Sequence, residues 1–260
     1  MNRTLEATAR AIFKSWFVDF DPVRAKMDGR QPEGMDAETA ALFPTAFEDS
    51  ELGMIPKGWR VGQIGDLISI ERESLKPNLY PEEQFDYYSI PAFDAGQSPL
   101  VELGKNIKSN KYLVFEKSIL LSKLNPHIPR IWLPNPSLDY RSICSTEFIV
   151  ALPKANIGQE YVYSLFTANF FLNDFKTLVT GTSGSHQRVK PEDLLSMQTL
   201  IPFNKVVSVF SNTIKTLYQK KSENLNQSRF LSTLRDTLLP KLMSGEIRVV
   251  EAEKMVEDVA

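Results

Sequence analysis

The sequence is poor in the residues that most enzymes use for chemistry. It holds one cysteine, two histidines and 12 glycines in 260 residues. A lone Cys144 excludes an internal disulfide, so nothing in the chain asks for an oxidising compartment. With only His127, His186 and Cys144 available, no soft-ligand metal cluster has workable spacing, and no metal is expected. Cys144 stands beside Ser145 with no partner base near it in sequence and reads as a buried structural thiol. Carboxylates between residues 59 and 203 are scattered, and no pair stands out as acid and base. No apolar run approaches the length of a membrane span, and no signal peptide is recognisable, so the expectation is a cytoplasmic protein without membrane contact. Neither sign of charge dominates, since the net charge is -2 and the pI is near 5.9. Total charge therefore does not itself recommend a nucleic-acid partner.

What is present is an uneven distribution. Lys105, Lys108, Lys111, Lys117, Lys123, Arg130 and Arg141 face only Glu116 and Asp139 in the same stretch, and residues 180–190 carry His186, Arg188 and Lys190 with no acid. The acids gather instead between Asp28 and Glu51 and in the 246–258 tail. A basic middle between acidic flanks can bind phosphate locally despite a near-neutral total.

The longest feature runs from Asn204 to Gly245, free of glycine and proline until Pro240. Apolar residues recur there at helical spacing: Phe203, Val206, Phe210, Ile214 and Leu217, then Leu225, Leu231, Leu234, Leu238 and Leu242. Asn204 is the expected N-cap, Gly245 the stop, and Pro240 a kink or end to the last turn. A helix of that length reaches about 55–60 Å, too long to be buried within one domain. The polar stretch 219–224 suits an exposed spacer. Residues 2–20 predict a second, amphipathic helix with Leu5, Ala9, Ile12, Trp16 and Phe20 on one face and Phe13 and Phe17 widening it, ended by Asp21-Pro22. Its natural cover is the long helix, from the same chain or from a partner. Residues 23–58, broken by Gly29, Pro32, Gly34, Pro44, Gly53, Pro56 and Gly58, read as a linker whose apolar Met35, Leu42, Phe43 and Phe47 could pack on a neighbour.

Residues 59–203 predict the globular part. An opening strand and short helix are expected over 59–70, with short strands at 85–90, 113–115, 118–124, 130–133 and 147–152, and one helix over 160–178 closed by Gly181. The fold class is thus α+β: one globular mixed α/β domain (59–203) with long antiparallel helices formed from 1–22 and 204–245, and an acidic tail from 246 to 260.

Two loops concentrate hydrogen-bonding groups. Gly181-Thr182-Ser183-Gly184-Ser185-His186-Gln187-Arg188 combines small residues with hydroxyls, an amide, an imidazole and a guanidinium, an inventory suited to phosphate oxygens and base edges. It is not a P-loop, because no Gly-Lys-Ser/Thr follows. The alternative is a plain helix-to-strand connector. Ser122–Arg130 is the second loop; its Asn125-Pro126-His127 resembles the Asn-Pro-Pro-aromatic motif of adenine-N6 methyltransferases, but the second proline and the aromatic are missing, and no methyl-donor loop precedes it.

Six motifs in order resemble the specificity subunits of type I restriction–modification systems. Ile55-Pro56-Lys57-Gly58-Trp59 resembles the opening of a target recognition domain, and 118–125, 144–150 and 181–189 resemble its strands and glycine-rich loop. Residues 12–22 and 238–247 resemble the family's central and distal spacers. The resemblance implies a non-catalytic, cofactor-free DNA-binding subunit that reads one half of a split target and docks methyltransferase and restriction subunits. Members normally carry two recognition domains and two spacers, whereas this chain matches the second half only. It would then be a fragment, or a half-subunit that pairs with a second copy or another half-subunit. On this reading Lys123, Arg130, Arg141, Arg188 and Lys190 are expected to meet phosphate. Asn125, His127, Ser183, His186 and Gln187 are expected near base edges, with Gly181, Thr182 and Ser185 completing the loop. The competing readings are a stand-alone enzyme, which no constellation supports, and a scaffold or anti-restriction protein that binds partner subunits through its helices without touching DNA.

Overall fold

The chain opens with α1 (Asn2–Phe17), whose stripe of Ala9, Phe13, Trp16 and Phe17 is buried. The computed structural model describes residues 1–136, 138–180 and 187–252. Asp21-Pro22, expected to end α1, instead opens α2 (Asp21–Met27), because Phe20 turns the chain in the left-handed region (φ 57°) and a proline is favoured in a first helical turn. Then come α3 (Ala37–Ala41), capped by the Asp36 side chain, and a hairpin of β1 (Phe47–Ser50) and β2 (Gly53–Pro56). These elements occupy the stretch read as a linker, and they pack on the chain's own core. Phe43 lies edge-on to Trp16 at 5.2 Å, Phe47 lies edge-on to Phe20 at 5.8 Å, and the Lys26 ammonium donates to the Ala40 and Phe43 carbonyls.

The central body starts with β3 (Arg60–Gln63), α4 (Ile64–Leu67), β4 (Ile68–Glu71), β5 (Ser74–Leu75), β6 (Gln84–Tyr88), α5 (Ile90–Asp94), β7 (Leu100–Leu103) and β8 (Lys111–Leu113). It continues through β9 (Ile119–Ser122), β10 (Ile131–Trp132), β11 (Arg141–Cys144) and β12 (Phe148–Pro153). The antiparallel order β10-β9-β12-β4 makes one sheet, and β5-β8-β11-β6-β7 makes a mixed one in which β11 and β6 run parallel. The uninterrupted apolar run of β9 follows from its position, since both of its faces are covered. Leu120, with Trp132, Phe148 and Val150, meets Tyr88 and Cys144 of the second sheet. Ile119 and Leu121, with Ile131, Ile149 and Ala151, face the helices.

The expected single helix over 160–178 is two helices, α6 (Gln159–Phe166) and α7 (Asn169–Phe175), followed by a 3-10 turn. The break falls at Thr167-Ala168, where the Ala168 N–H bonds the Leu165 carbonyl three residues back, and the Thr167 hydroxyl takes up the Ser164 carbonyl. The predicted stop, Gly181, lies outside the described residues. A short ribbon of β13 (Val179–Thr180) and β14 (Arg188–Val189), then α8 (Pro191–Ser196) and β15 (Gln198–Ile201), complete the body. β15 pairs with β3, which brings the two ends of the 59–203 stretch together.

Last comes α9 (Asn204–Ser244), 41 residues long, closed by Gly245 in the left-handed region (φ 74°). Phe203 rather than Asn204 is the capping residue, and the helix runs through Pro240. α1 lies antiparallel on its first half: Asn2 meets Asn224, Glu6 pairs with Lys221, and Phe17 lies edge-on to Phe210 at 5.0 Å. The cover anticipated for α1 is therefore this chain's own helix.

Candidate nucleic-acid interface

The described end of the glycine-rich loop, Gln187-Arg188, meets the start of the 122–130 loop in space. β9 leads into Lys123-Leu124-Asn125, and β14 runs beside it. The Val189 N–H donates to the Lys123 carbonyl at 3.0 Å, the Asn125 N–H donates to the Gln187 carbonyl at 2.9 Å, and Leu124 and Arg188 form an antiparallel bridge. Asn125 turns the chain in the left-handed region (φ 49°), a conformation its short polar side chain tolerates, and the Ile128 N–H closes the turn on its carbonyl. The turn projects His127, which is exposed. Gln187 is half-buried, and Lys190 is exposed as the N-cap of α8. Gly181, Thr182, Ser183, Ser185 and His186 lie outside the described residues.

The three candidate arginines do not share one situation. Arg188 holds both oxygens of Glu147 in a fork at 3.0 and 3.1 Å, which keeps its guanidinium still more firmly protonated. The Lys123 N–H donates to the Glu147 carbonyl, so Glu147 ties both loops to the start of β12. Arg130 forks onto Asp94, at the end of α5, at 2.7 and 2.9 Å, and its hydrogen bonds hold that carboxyl below the usual range. Arg141 opens β11, in the other sheet, and sits away from the two loops. It forks onto Glu83 at 2.6 Å through both nitrogens and lies 4.4 Å above the Tyr80 ring. Its surroundings include Glu82 and Asp139, so this corner carries more acid than base. The structure thus brings Lys123, Asn125, His127, Gln187 and Arg188 together, places Arg130 and Lys190 at the margins, and leaves Arg141 on an acidic shelf elsewhere.

Sequence reasoning missed the carboxylates. Each fork joins residues 36 to 58 positions apart, beyond the reach of any periodic signal. It also missed α7. Asn169, Asn173 and Lys176 stand opposite the Asn125–Arg130 turn, and together with Pro126, His127, Pro129 and Leu172 they line a cleft of about 370 Å³. Their i, i+4, i+7 spacing was a legible sign of one polar helical face. Among the described residues no group of three or more His, Cys, Asp or Glu side chains could hold a metal ion. Cys144 is buried, as expected, and burial pushes its thiol pKa up.

The chain was compared with known proteins. Residues 56–205 match the family model described as type I restriction modification DNA specificity domain. The HindI type I restriction enzyme specificity subunit of Haemophilus influenzae is 25% identical over 95% of this chain and 62% of its own length. The MjaIX type I restriction enzyme specificity subunit of Methanocaldococcus jannaschii is 24% identical over 96% of this chain and 54% of its own length. The chain thus spans roughly half to three-fifths of these relatives. The crystal structure of the HsdS subunit from Thermoanaerobacter tengcongensis shares the fold, with a TM-score of 0.53 at 22% identity, over 75% of this chain and 50% of that one. So does a chain from a structural study of type I R-M system assembly and conformational transition, with a TM-score of 0.52 at 24% identity, over 73% of this chain and 49% of that one. A match across more than half of the chain, carried by the body that holds both loops, makes this protein a member of the type I restriction modification DNA specificity domain family.

Proposed function

We propose that this chain is a non-catalytic specificity subunit of a type I restriction–modification complex, binding double-stranded DNA and reading one half of a split target. The observation that carries the reading is the backbone-hydrogen-bonded junction of the Lys123–Arg130 turn with the Gln187–Val189 strand. It gathers a lysine, an imidazole and the Gln187 amide, with the Asn125 amide beside them and its oxygen turned inward, the mixture that phosphate contact and base readout require. Lys123, Arg188 and Lys190 serve phosphate. Asn125, His127 and Gln187, with Ser183 and His186 of the adjoining loop, serve base edges. For Arg188 this requires a phosphate to compete with Glu147 for the guanidinium.

The helices supply the second half of the function. Methyltransferase and restriction subunits dock along α1 and α9, and the outer half of α9 pairs with a second copy. Leu231, Leu239 and Met243 are exposed there and want cover. A two-fold pair would read a split palindrome, because the symmetry of the protein is mirrored in its site. Sedimentation gives the mass, and Leu231→Lys with Leu239→Lys should convert a pair to single chains.

The main test is selection from a randomised duplex pool in the presence of a methyltransferase subunit. Enrichment of a split motif is expected. Lys123→Ala should weaken every sequence about equally and lower the salt slope by about one unit. Stable assembly without any enriched motif would favour a scaffold that never reads DNA. Unchanged affinity and salt dependence in Lys123→Ala and Arg188→Ala would refute the assignment of these residues.

A further inference from the structure

We propose that α7 is a second reading wall, in which Asn173 discriminates bases by offering its amino group to a keto edge, with its amide oriented by Lys176. This deepens the DNA-reading proposal and rests on it.

Three observations support the assignment. The first is the cleft itself. Its walls are the Pro126–Pro129 turn on one side and Asn169, Leu172, Asn173 and Lys176 on the other, and among the described residues no carboxylate lines it. An acid-free cleft with a lysine on one lip and an imidazole on the other suits an electron-rich edge, unlike the shelf around Arg141, where Glu82, Glu83 and Asp139 crowd together.

The second observation is rigidity. The opposite face of α7 is anchored, because Phe171 and Phe175 are buried and Phe171 stacks on Phe166 at 4.7 Å and on Phe175 at 5.6 Å. Those rings fix the rotation of the helix about its axis, so Asn173 is aimed by the core. From α7 the chain passes through the Lys176–Leu178 turn directly into β13, whose partner β14 bridges to Leu124. Both walls of the cleft therefore belong to one connected framework.

The third observation is chemical. The Lys176 ammonium lies 2.8 Å from the Asn173 side-chain oxygen. An ammonium can only donate, so the amide oxygen must face Lys176, and the amide N–H groups are left to point away from it. An asparagine with both ends free pairs in bidentate fashion with adenine, accepting from N6 and donating to N7. Here one of the two lone pairs of the oxygen is engaged and the amide is turned toward Lys176, so that mode is disfavoured. What the side chain presents outward is its amino group, a donor that matches guanine O6 and N7 or thymine O4 better than the amino groups of adenine and cytosine. Lys176 keeps two further N–H groups for a neighbouring phosphate.

The experiment is selection of bound duplexes from a randomised pool with the full chain, comparing wild type with Asn173→Ala, Asn173→Asp and Lys176→Ala. Residues 173 and 176 are exposed, so folding should be preserved, which circular dichroism checks. At one position of the enriched motif, wild type should prefer guanine or thymine. Asn173→Ala should flatten that position alone, with a loss of about 5- to 150-fold for the wild-type motif, the range of a single base contact. Asn173→Asp replaces a donor by an acceptor and should move the preference to adenine or cytosine. Lys176→Ala frees the amide oxygen and should admit adenine, while lowering the salt slope by about one unit. An unaltered motif in both Asn173 variants overturns the proposal. If that result accompanies weakened binding by Lys123→Ala, the wall of α7 alone is wrong. If wild type enriches no motif at all, the DNA-reading proposal falls and this one with it.

Discussion

The two halves of α9 share one helix and follow different rules. In the first half Val206, Val207, Phe210 and Ile214 are fully buried, and Phe210 sits among the rings of Phe13, Trp16, Phe17 and Tyr161. In the second half Leu231 is 59% exposed and Met243 81% exposed, with Leu238 the buried exception. The divide falls where α1 runs out, beside Asn224, and it is marked by the Lys221–Glu6 pair. The lesson is that apolar spacing alone does not say what a helical stripe faces. The same periodicity serves an interior in one half and a surface awaiting a partner in the other. An isolated helix of some 20 residues is marginal in water, so the outer half draws its order from the anchored half and from whatever binds it.

The sharpest way to break this comparison is a pair of truncations. Phe210→Ala should cost about 3–5 kcal/mol in denaturant unfolding, the usual loss for a buried phenylalanine. Leu231→Ala, measured on the single chain, should cost less than about 0.5 kcal/mol. Equal losses would mean that the outer half is part of the core. Next in size is Gly158→Ala. Gly158 lets α6 and α9 approach so closely that an added methyl would sit 2.0 Å from the Ser211 hydroxyl. A loss of about 1–3 kcal/mol is expected, and Ser211→Gly in the same chain should recover most of it.

Acid should separate the body from the rod more gently. Glu83 and Asp94 titrate below their ordinary values because Arg141 and Arg130 hydrogen-bond their ionised forms. A lowered folded pKa means that this stability is present above the ordinary carboxyl range, near 4, and is lost as the pH falls through the lower folded value. The Glu83→Gln variant should therefore show a shallower acid limb in unfolding midpoint against pH, and the wild type a steeper one. The smallest expected change in global stability belongs to Pro240→Ala. It removes a residue that opposes helix geometry, so ellipticity should rise while the unfolding midpoint of the body stays where it was.

The rod, the strands β6, β8, β9, β10 and β12 and the polar character of the two loops were legible because each is a local pattern. Gly245 stops α9 for a reason a single residue can express, and the Ile119–Leu121 run announces a strand covered on both faces. Three things were not legible. The packing of residues 23–58 depends on rings at irregular spacing, Phe43, Phe47 and Trp59, which find partners on α1 and in the turn that follows it. The division of α6 from α7 is a change of hydrogen-bond register at Thr167-Ala168, with no glycine or proline to mark it. The arginine forks, which decide whether each guanidinium is free to meet phosphate, join distant segments, and only the three-dimensional fold brings them together.

The pairing of α1 with α9 joins Asn2 to Asn224, 222 positions apart. On the ribosome the first helix emerges long before its cover exists. At about 5–20 residues per second, the wait for α9 is on the order of 10–40 s. Throughout that interval Phe13, Trp16 and Phe17 have only one another and the early rings Phe43 and Trp59 for cover, and the face that Phe210 will close stays open to water.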